Sequence, residues 1–278
     1  MPTVRTDDIE LFYEERGSGP PVVLLHGARG DHRIWADRAA ALAEDYRVIV
    51  PDVRGHGRTG ESERSSYGIP LFADDLHALT TELELNQPVV CGLSMGGMIA
   101  QTYADRYPDS LSGLCVIGSA APEVLTRGQW IQFRLVLPVV SALRGVADPE
   151  RVLAAVNSVL ERIYGEEASG DLDEADRIQR DYDSSVPEMR ATEREKVTEA
   201  LTSYYDVTID YETFDVPALV MYGEYEPSMT ARHAEYIYDR IPDCELRTIP
   251  DAGHSSHVDN PEFVCDSIRT FAEQVTAQ

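Results

Sequence analysis

Three residue types that together perform acyl transfer stand in a usable order along this chain: a serine, then an acid, then a histidine. Ser94 lies in Gly92-Leu93-Ser94-Met95-Gly96-Gly97, directly after the apolar run Val89-Val90-Cys91. It precedes Met98, Ile99, Thr102 and Tyr103, which recur at helical spacing. A strand-to-helix turn sharp enough to present a serine hydroxyl brings its flanks against neighbouring backbone, so glycine is favoured at 92 and 96. The N-terminal amides and positive dipole end of the following helix then face the same spot, where they would meet a developing oxyanion.

A serine hydroxyl needs a base to take its proton, and the base needs an orienting carboxylate. Asp251-Ala252-Gly253-His254 follows the last strand-like run and precedes the final helical period, so His254 is the base expected at a strand's carboxyl end. His257 is its competitor. Among the other histidines, 32, 77 and 233 fall in helical stretches with exposed faces, whereas His26 and His56 fall in glycine turns that they would brace. For the acid, the loop Gly223-Glu224-Tyr225-Glu226-Pro227 offers Glu226, with Glu224 and Glu123 as alternatives. In an acid-rich chain each of these is also an ordinary surface acid.

The elements that must position these groups alternate. Strand-like runs occur at 21–25, 46–50, 89–91, 114–117, 218–222 and 245–249, after a hairpin of 4–6 and 9–14 around Asp7-Asp8. Helical periods lie between them at about 33–43, 70–85, 95–107, 229–240 and 261–275. This alternation predicts an α/β fold, a mostly parallel sheet with helices on both faces. Between 122 and 211 no strand signal appears, while Val152, Val156, Val159, Leu160 and Ile163 recur at helical spacing. The expectation is a core of 1–121 and 212–278 carrying a helical cap, 122–211, over the carboxyl ends of the strands, where ligands of such sheets bind.

The 278 residues suffice for one substantial core. No run of about 18 apolar residues and no apolar leader are present, which predicts a cytoplasmic protein with no membrane partner. Cys91, Cys115, Cys244 and Cys265 lack metal-binding spacing and read as reduced, with a 244–265 pair as the alternative. Forty-nine acidic residues against 24 basic give a net charge of −25, and every basic residue except Lys196 is arginine. Such self-repulsion is screened in molar salt, so the composition points to a halophile, and it argues against nucleic acid as a partner.

With these motifs in place the chain resembles the α/β-hydrolase superfamily over nearly its whole length. His26-Gly27 after the first parallel strand is similar to the family's oxyanion loop, and Pro51-Asp52-Val53-Arg54-Gly55-His56-Gly57 to its second glycine turn. Where the family usually carries an aspartate, three residues past a glycine, this sequence has Glu226. The resemblance implies oxyanion amides at Ala28 and Met95, with no cofactor and no metal. GLSMGG followed by Met98-Ile99-Ala100-Gln101 resembles the small-molecule branch of enol-lactonases, carboxylesterases and cofactor-free perhydrolases.

The implied activity is a serine hydrolase acting on a small carboxylic ester, lactone or thioester. An aspartate at 94 would have suggested epoxide or haloalkane hydrolysis, and a cysteine a dienelactone-type enzyme. A C–C bond hydrolase, a perhydrolase and a slow-turnover ligand receptor remain alternatives on the same residues. Arg29, Arg127 and Arg134, beside the oxyanion loop and in the cap, are the candidates to hold a substrate carboxylate.

Overall fold

The computed structural model describes residues 2–28, 30–126 and 189–277. Its sheet has eight strands: β1 (Thr3–Arg5), β2 (Glu10–Arg16), β3 (Pro21–Leu25), β4 (Arg47–Pro51), β5 (Val89–Leu93), β6 (Gly113–Ile117), β7 (Ala218–Gly223) and β8 (Cys244–Ile249). They lie in the order β1-β2-β4-β3-β5-β6-β7-β8. β1 and β2 form the expected hairpin, β2 runs antiparallel to β4, and the remaining pairs are parallel. β5 continues past the apolar run that announces it, because Gly92 and Leu93 still pair with Val116 and Ile117.

Among the described residues the helices are α1 (Ala36–Leu42), α2 (Ile69–Glu82), α3 (Met95–Arg106), α4 (Ala191–Ser203), α5 (Ser228–Tyr238), α6 (Ser256–Asp259) and α7 (Pro261–Thr276). Alternate residues of each central strand serve opposite faces of the sheet. Val23, Val90, Leu114, Val116 and Val220 belong to the core shared with α2, α3 and α5. Val22, Leu24, Val89, Cys91, Cys115, Ile117 and Leu219 belong to the core shared with α1 and α7. Each such side chain, fully buried, stabilises the sheet by about 1.5 to 3 kcal/mol before entropy is charged against it. All four cysteines are free, two of them inside β5 and β6 as small hydrophobes.

Two expectations about histidines are corrected. His32 and His233 are buried, not on exposed faces. The predicted helix at 33–43 begins as a 3₁₀ turn, His32–Trp35, which turns the His32 ring inward to Asp52, with Nδ1 2.8 Å from Oδ1. His233 sits on the inner side of α5, where its Nδ1 accepts from the Ala121 amide at 3.1 Å.

Between β6 and β7 the described residues contain no strand. They contain α4 and two 3₁₀ turns, Tyr204–Asp206 and Tyr211–Thr213, and part of the predicted cap, 127–188, lies outside the described residues. α4 is tied to the loop after β4 by a buried polar clasp. Glu193 accepts from the Tyr67 hydroxyl and from Lys196 Nζ at 2.7 Å, and Lys196 also donates to the Ser62 carbonyl at 2.8 Å. Strand order sets where a site can form: the chain crosses from β4, on one side of β3, to β5 on the other, which opens a crevice at the carboxyl ends of β3 and β5.

Candidate active site

Ser94 follows β5 and precedes α3 with φ 54° and ψ −116°, a left-handed conformation that non-glycine residues adopt only when their surroundings enforce it. The enforcement is visible. The Ser94 amide donates to the Ile117 carbonyl at 2.9 Å, and its own carbonyl accepts from Gly97 N at 2.9 Å, Met98 N at 3.2 Å and Ser119 Oγ at 2.7 Å. A Cβ at Gly92 would run into the carbonyl of Gly96, and one at Gly96 would stand 2.5 Å from the Leu25 carbonyl oxygen. The glycines flanking the serine are therefore required by backbone crowding.

Successive contacts link the loops along one edge of the sheet. Gly27, after β3, is so close to the serine that a Cβ there would lie 3.3 Å from Ser94 Cβ. Ala28 follows it, and Met95 opens α3. Beyond β6, Gly118 lies against the Glu226 carboxylate, and beyond β7 that carboxylate meets His254, whose Nδ1 is 2.6 Å from Glu226 Oε1. The other oxygen, Oε2, accepts from Gly223 N at 2.8 Å. The Glu226 side chain is almost wholly buried, whereas the His254 ring is 22% exposed, so the ring stands at the mouth and the acid beneath it.

The competing residues are placed elsewhere. Glu224 is exposed and accepts from the Asp251 amide, while Glu123 lies beside Tyr236, where burial pushes its carboxyl up. His257 is buried on α6 against Trp35, with ring centres 5.7 Å apart, and burial lowers it to about 3. Arg29, Arg127 and Arg134 lie outside the described residues.

Around the β3 loop, His26 donates from Nδ1 to the Gly27 carbonyl at 2.8 Å and accepts at Nε2 from the Val53 amide at 2.9 Å. Both ring nitrogens are used by the neutral form, and burial lowers its pKa to about 4. The loop is thus tied to the glycine turn after β4. Asp52 strengthens the same junction: Oδ1 accepts from His32 N and Nδ1, and Oδ2 from Arg58 N at 2.7 Å. Asp31, His32 and Asp52 gather closely enough to suggest metal ligands, but Arg33 occupies Asp31 and protein donors occupy Asp52. Arg54, fully buried, is held by Asp75 at 2.7 Å through two nitrogens and by Asp8 at 2.8 Å. These are structural pairings that hold the turn in place.

Gly118 and Ser119, which pack against Glu226 and Ser94, carry no sequence signal of their own. They are recognisable only once β6 is seen beside β5 and β7.

Comparison with known proteins agrees with this architecture. The family model for the alpha/beta hydrolase fold matches residues 20–261. The chain is 28% identical to the non-heme chloroperoxidase CPO-A1 of Kitasatospora aureofaciens, covering 91% of this chain and 92% of that protein. Among solved structures, a thermophilic esterase from Thermogutta terrifontis is 27% identical with a TM-score of 0.71, covering 98% of both chains. Est816, described as an N-acyl homoserine lactone degrading enzyme, is 26% identical with a TM-score of 0.73, covering 97% of this chain and all of that one. Since the family match extends from the first parallel strand to the start of the last helix, the chain belongs to the alpha/beta hydrolase fold family and is a hydrolase of small molecules.

Proposed function

We propose that the protein is a serine hydrolase that cleaves a carboxylic ester, lactone or thioester through an acyl-enzyme on Ser94. The observation that carries this reading is the 2.6 Å contact between His254 Nδ1 and Glu226 Oε1, on the sheet edge where Ser94 is held in its strained turn. With Nδ1–H donating to the carboxylate, Nε2 keeps its lone pair and can act as the base.

In this mechanism Nε2 takes the proton from Ser94 Oγ as the oxygen attacks the substrate carbonyl carbon. Glu226 stabilises the imidazolium without taking its proton. The amides of Ala28 and Met95 donate to the tetrahedral oxyanion, a contribution of about 10² to 10³ in rate for each donor. The imidazolium then protonates the departing alkoxide or thiolate, leaving Ser94 acylated. Water, giving its proton to His254, releases the acid and restores the serine. In this reading substrate choice falls to the insertion at 122–211, of which 127–188 lie outside the described residues, and the acyl chemistry to the core of 1–121 and 212–278.

Covalent labelling by a fluorophosphonate in molar KCl, together with turnover of a chromogenic ester, tests this reading. Both are expected in wild type and absent in Ser94→Ala, and wild-type protein that is folded but unlabelled overturns it. A second reading keeps the acyl-enzyme and changes its acceptor to hydrogen peroxide. The likeness to a non-heme chloroperoxidase favours it, and peracid formation from a carboxylic acid and peroxide would distinguish it.

A further inference from the structure

We propose that Gln101, Ser119 and Tyr211 are positioning residues: a buried hydrogen-bond relay that fixes the backbone of Ser94 and ties it to both ends of the segment between β6 and β7. The proposal rests on the acyl-transfer reading of Ser94 and goes beyond it, since none of the three side chains belongs to the serine–histidine–acid set.

Ser94 pays for its left-handed conformation with backbone strain of a kind that relaxes unless the turn is held. Its carbonyl is held by two helix amides and one side chain, Ser119 Oγ, at 2.7 Å. Ser119 is buried, just past β6, where the chain leaves the sheet. Its hydroxyl proton is committed to Ser94, so the oxygen is free to accept, and Gln101 Nε2 lies 3.4 Å away.

Gln101 is the centre of the relay. It is fully buried on α3, two turns beyond the serine, and an amide there is costly unless every polar atom has a partner. The two Nε2 protons go to the Gly97 carbonyl at 2.9 Å and the Ala120 carbonyl at 3.1 Å, and the longer contact to Ser119 Oγ shares one of them. Oε1 accepts from the Tyr211 hydroxyl at 2.6 Å. One side chain therefore touches the nucleophile's helix, the strand exit at 119–120 and the return segment at 211.

Tyr211 is delivered by the 3₁₀ turn that brings the chain back toward β7. Its ring is buried and seated against Phe214 and Tyr236, with ring centres 5.5 and 6.2 Å away. The hydroxyl has a fixed address, so movement of the return segment is transmitted to Gln101 and from there to the turn. Space is equally constrained: a Cβ at Gly97 would lie 2.6 Å from Ser119 Cβ, so α3 and the strand exit cannot slide independently.

A relay that only stabilised the fold would change the melting temperature and leave the chemistry of folded molecules intact. One that positions Ser94 changes the rate at which its oxygen attacks. The test compares wild type, Ser119→Ala, Tyr211→Phe and the double variant in molar KCl by three readouts: fluorophosphonate labelling rate of folded protein, the kcat and KM for a chromogenic ester, and hydrogen exchange at the amides of 94–98. The expected result is a fall of about 10- to 100-fold in kcat and in labelling rate, with KM within about twofold. Exchange across 94–98 speeds up, and the double variant is less impaired than the product of the singles because the sites share one relay.

Wild-type labelling rates in both single variants overturn the proposal, whatever happens to the melting temperature, and so does a loss confined to KM. If wild type itself is not labelled, the acyl-transfer reading fails instead. Hydrogen exchange then decides the relay alone, and unchanged exchange in both variants overturns it.

Discussion

Glu226 rests its carboxylate on the bare α-carbon of Gly118. A Cβ built at that glycine would lie 2.9 Å from Oε1 and 3.3 Å from Oε2, and Gly118 itself has φ +52°. The longer acid and the missing side chain are complementary: the room that a glutamate needs beneath His254 is supplied by a residue that has no Cβ to occupy it.

From this follows a prediction about acid length. Glu226→Asp withdraws the carboxylate by about 1.5 Å, the length of one carbon–carbon bond, and leaves His254 without its 2.6 Å partner. A fall in kcat/KM of about 10²-fold is expected, and about 10⁴-fold for Glu226→Gln, which alters the tautomer preference while keeping the shape. Steady-state kinetics on one ester decides it; an aspartate variant as fast as wild type refutes the account.

Gly118→Ala is expected to injure the same step from the other side. The methyl group meets the carboxylate and the backbone must hold a left-handed φ, which costs an L-residue about 1 to 2 kcal/mol. The prediction is loss of kcat together with a lower melting temperature. Wild-type kcat in this variant would show that the carboxylate yields freely.

These residues also mark how far the sequence is legible. Ser94 and the Gly253-His254 loop can be read because their signals are local: a turn that backbone crowding restricts to glycine, and a histidine between the last strand-like run and the final helical period. Glu226 can be read only as one of several acids, since what separates it from Glu224 is that one carboxylate turns inward to Gly223 N and the other outward. Gly118, Ser119 and Gln101 are illegible for a stronger reason. Their partners are assigned by the packing of β6 between β5 and β7, which no window of sequence contains. The inward His32 and His233 are misread similarly, because a helical period does not say which side a lone polar residue faces.

Lys196 should matter more than its charge suggests. In a chain that uses arginine everywhere else, its ammonium group lies 2.7 Å from a Glu193 carboxylate that is only 3% exposed. Lys196→Met leaves that acid with the Tyr67 hydroxyl alone, at a cost of about 2 to 4 kcal/mol. Urea unfolding at fixed salt measures it. Loss of less than about 0.5 kcal/mol, the scale of an exposed pair, would show that the clasp between α4 and the β4 loop is not holding.

Salt should act on the opposite part of the molecule. The net charge of −25 is carried by exposed acids such as Glu63 and Asp239, and raising KCl shortens the Debye length from about 10 Å at 0.1 M to about 3 Å at 1 M. The melting temperature is expected to climb over that range and then level off, while the loss caused by Lys196→Met changes little because the Glu193 carboxylate of that pair is buried. A melting temperature indifferent to KCl would contradict the halophilic reading of the composition.

Acid should unfold the protein through its buried histidines. Burial lowers His26 and His233 to about 4, and His56 and His257 to about 3, each from an ordinary value of 6.5. Because these rings stay neutral in the folded state and become charged in the unfolded one, the unfolded chain binds more protons below pH 6.5. Their contribution is complete above that pH and is lost as the pH falls toward 4 and then 3. Each ring removes about 1 kcal/mol per pH unit within its window. Asp8, lowered to about 2 despite the opposing effect of burial because Arg64, Ser62 and Arg54 bind its carboxylate, adds a further loss below its ordinary 3.8. Unfolding free energy measured from pH 8 to pH 4 should therefore be flat above about 7 and steepen below 6.5, and His233→Gln should make that slope shallower. A slope unchanged by the substitution would show that His233 is not among the groups taking up protons on unfolding.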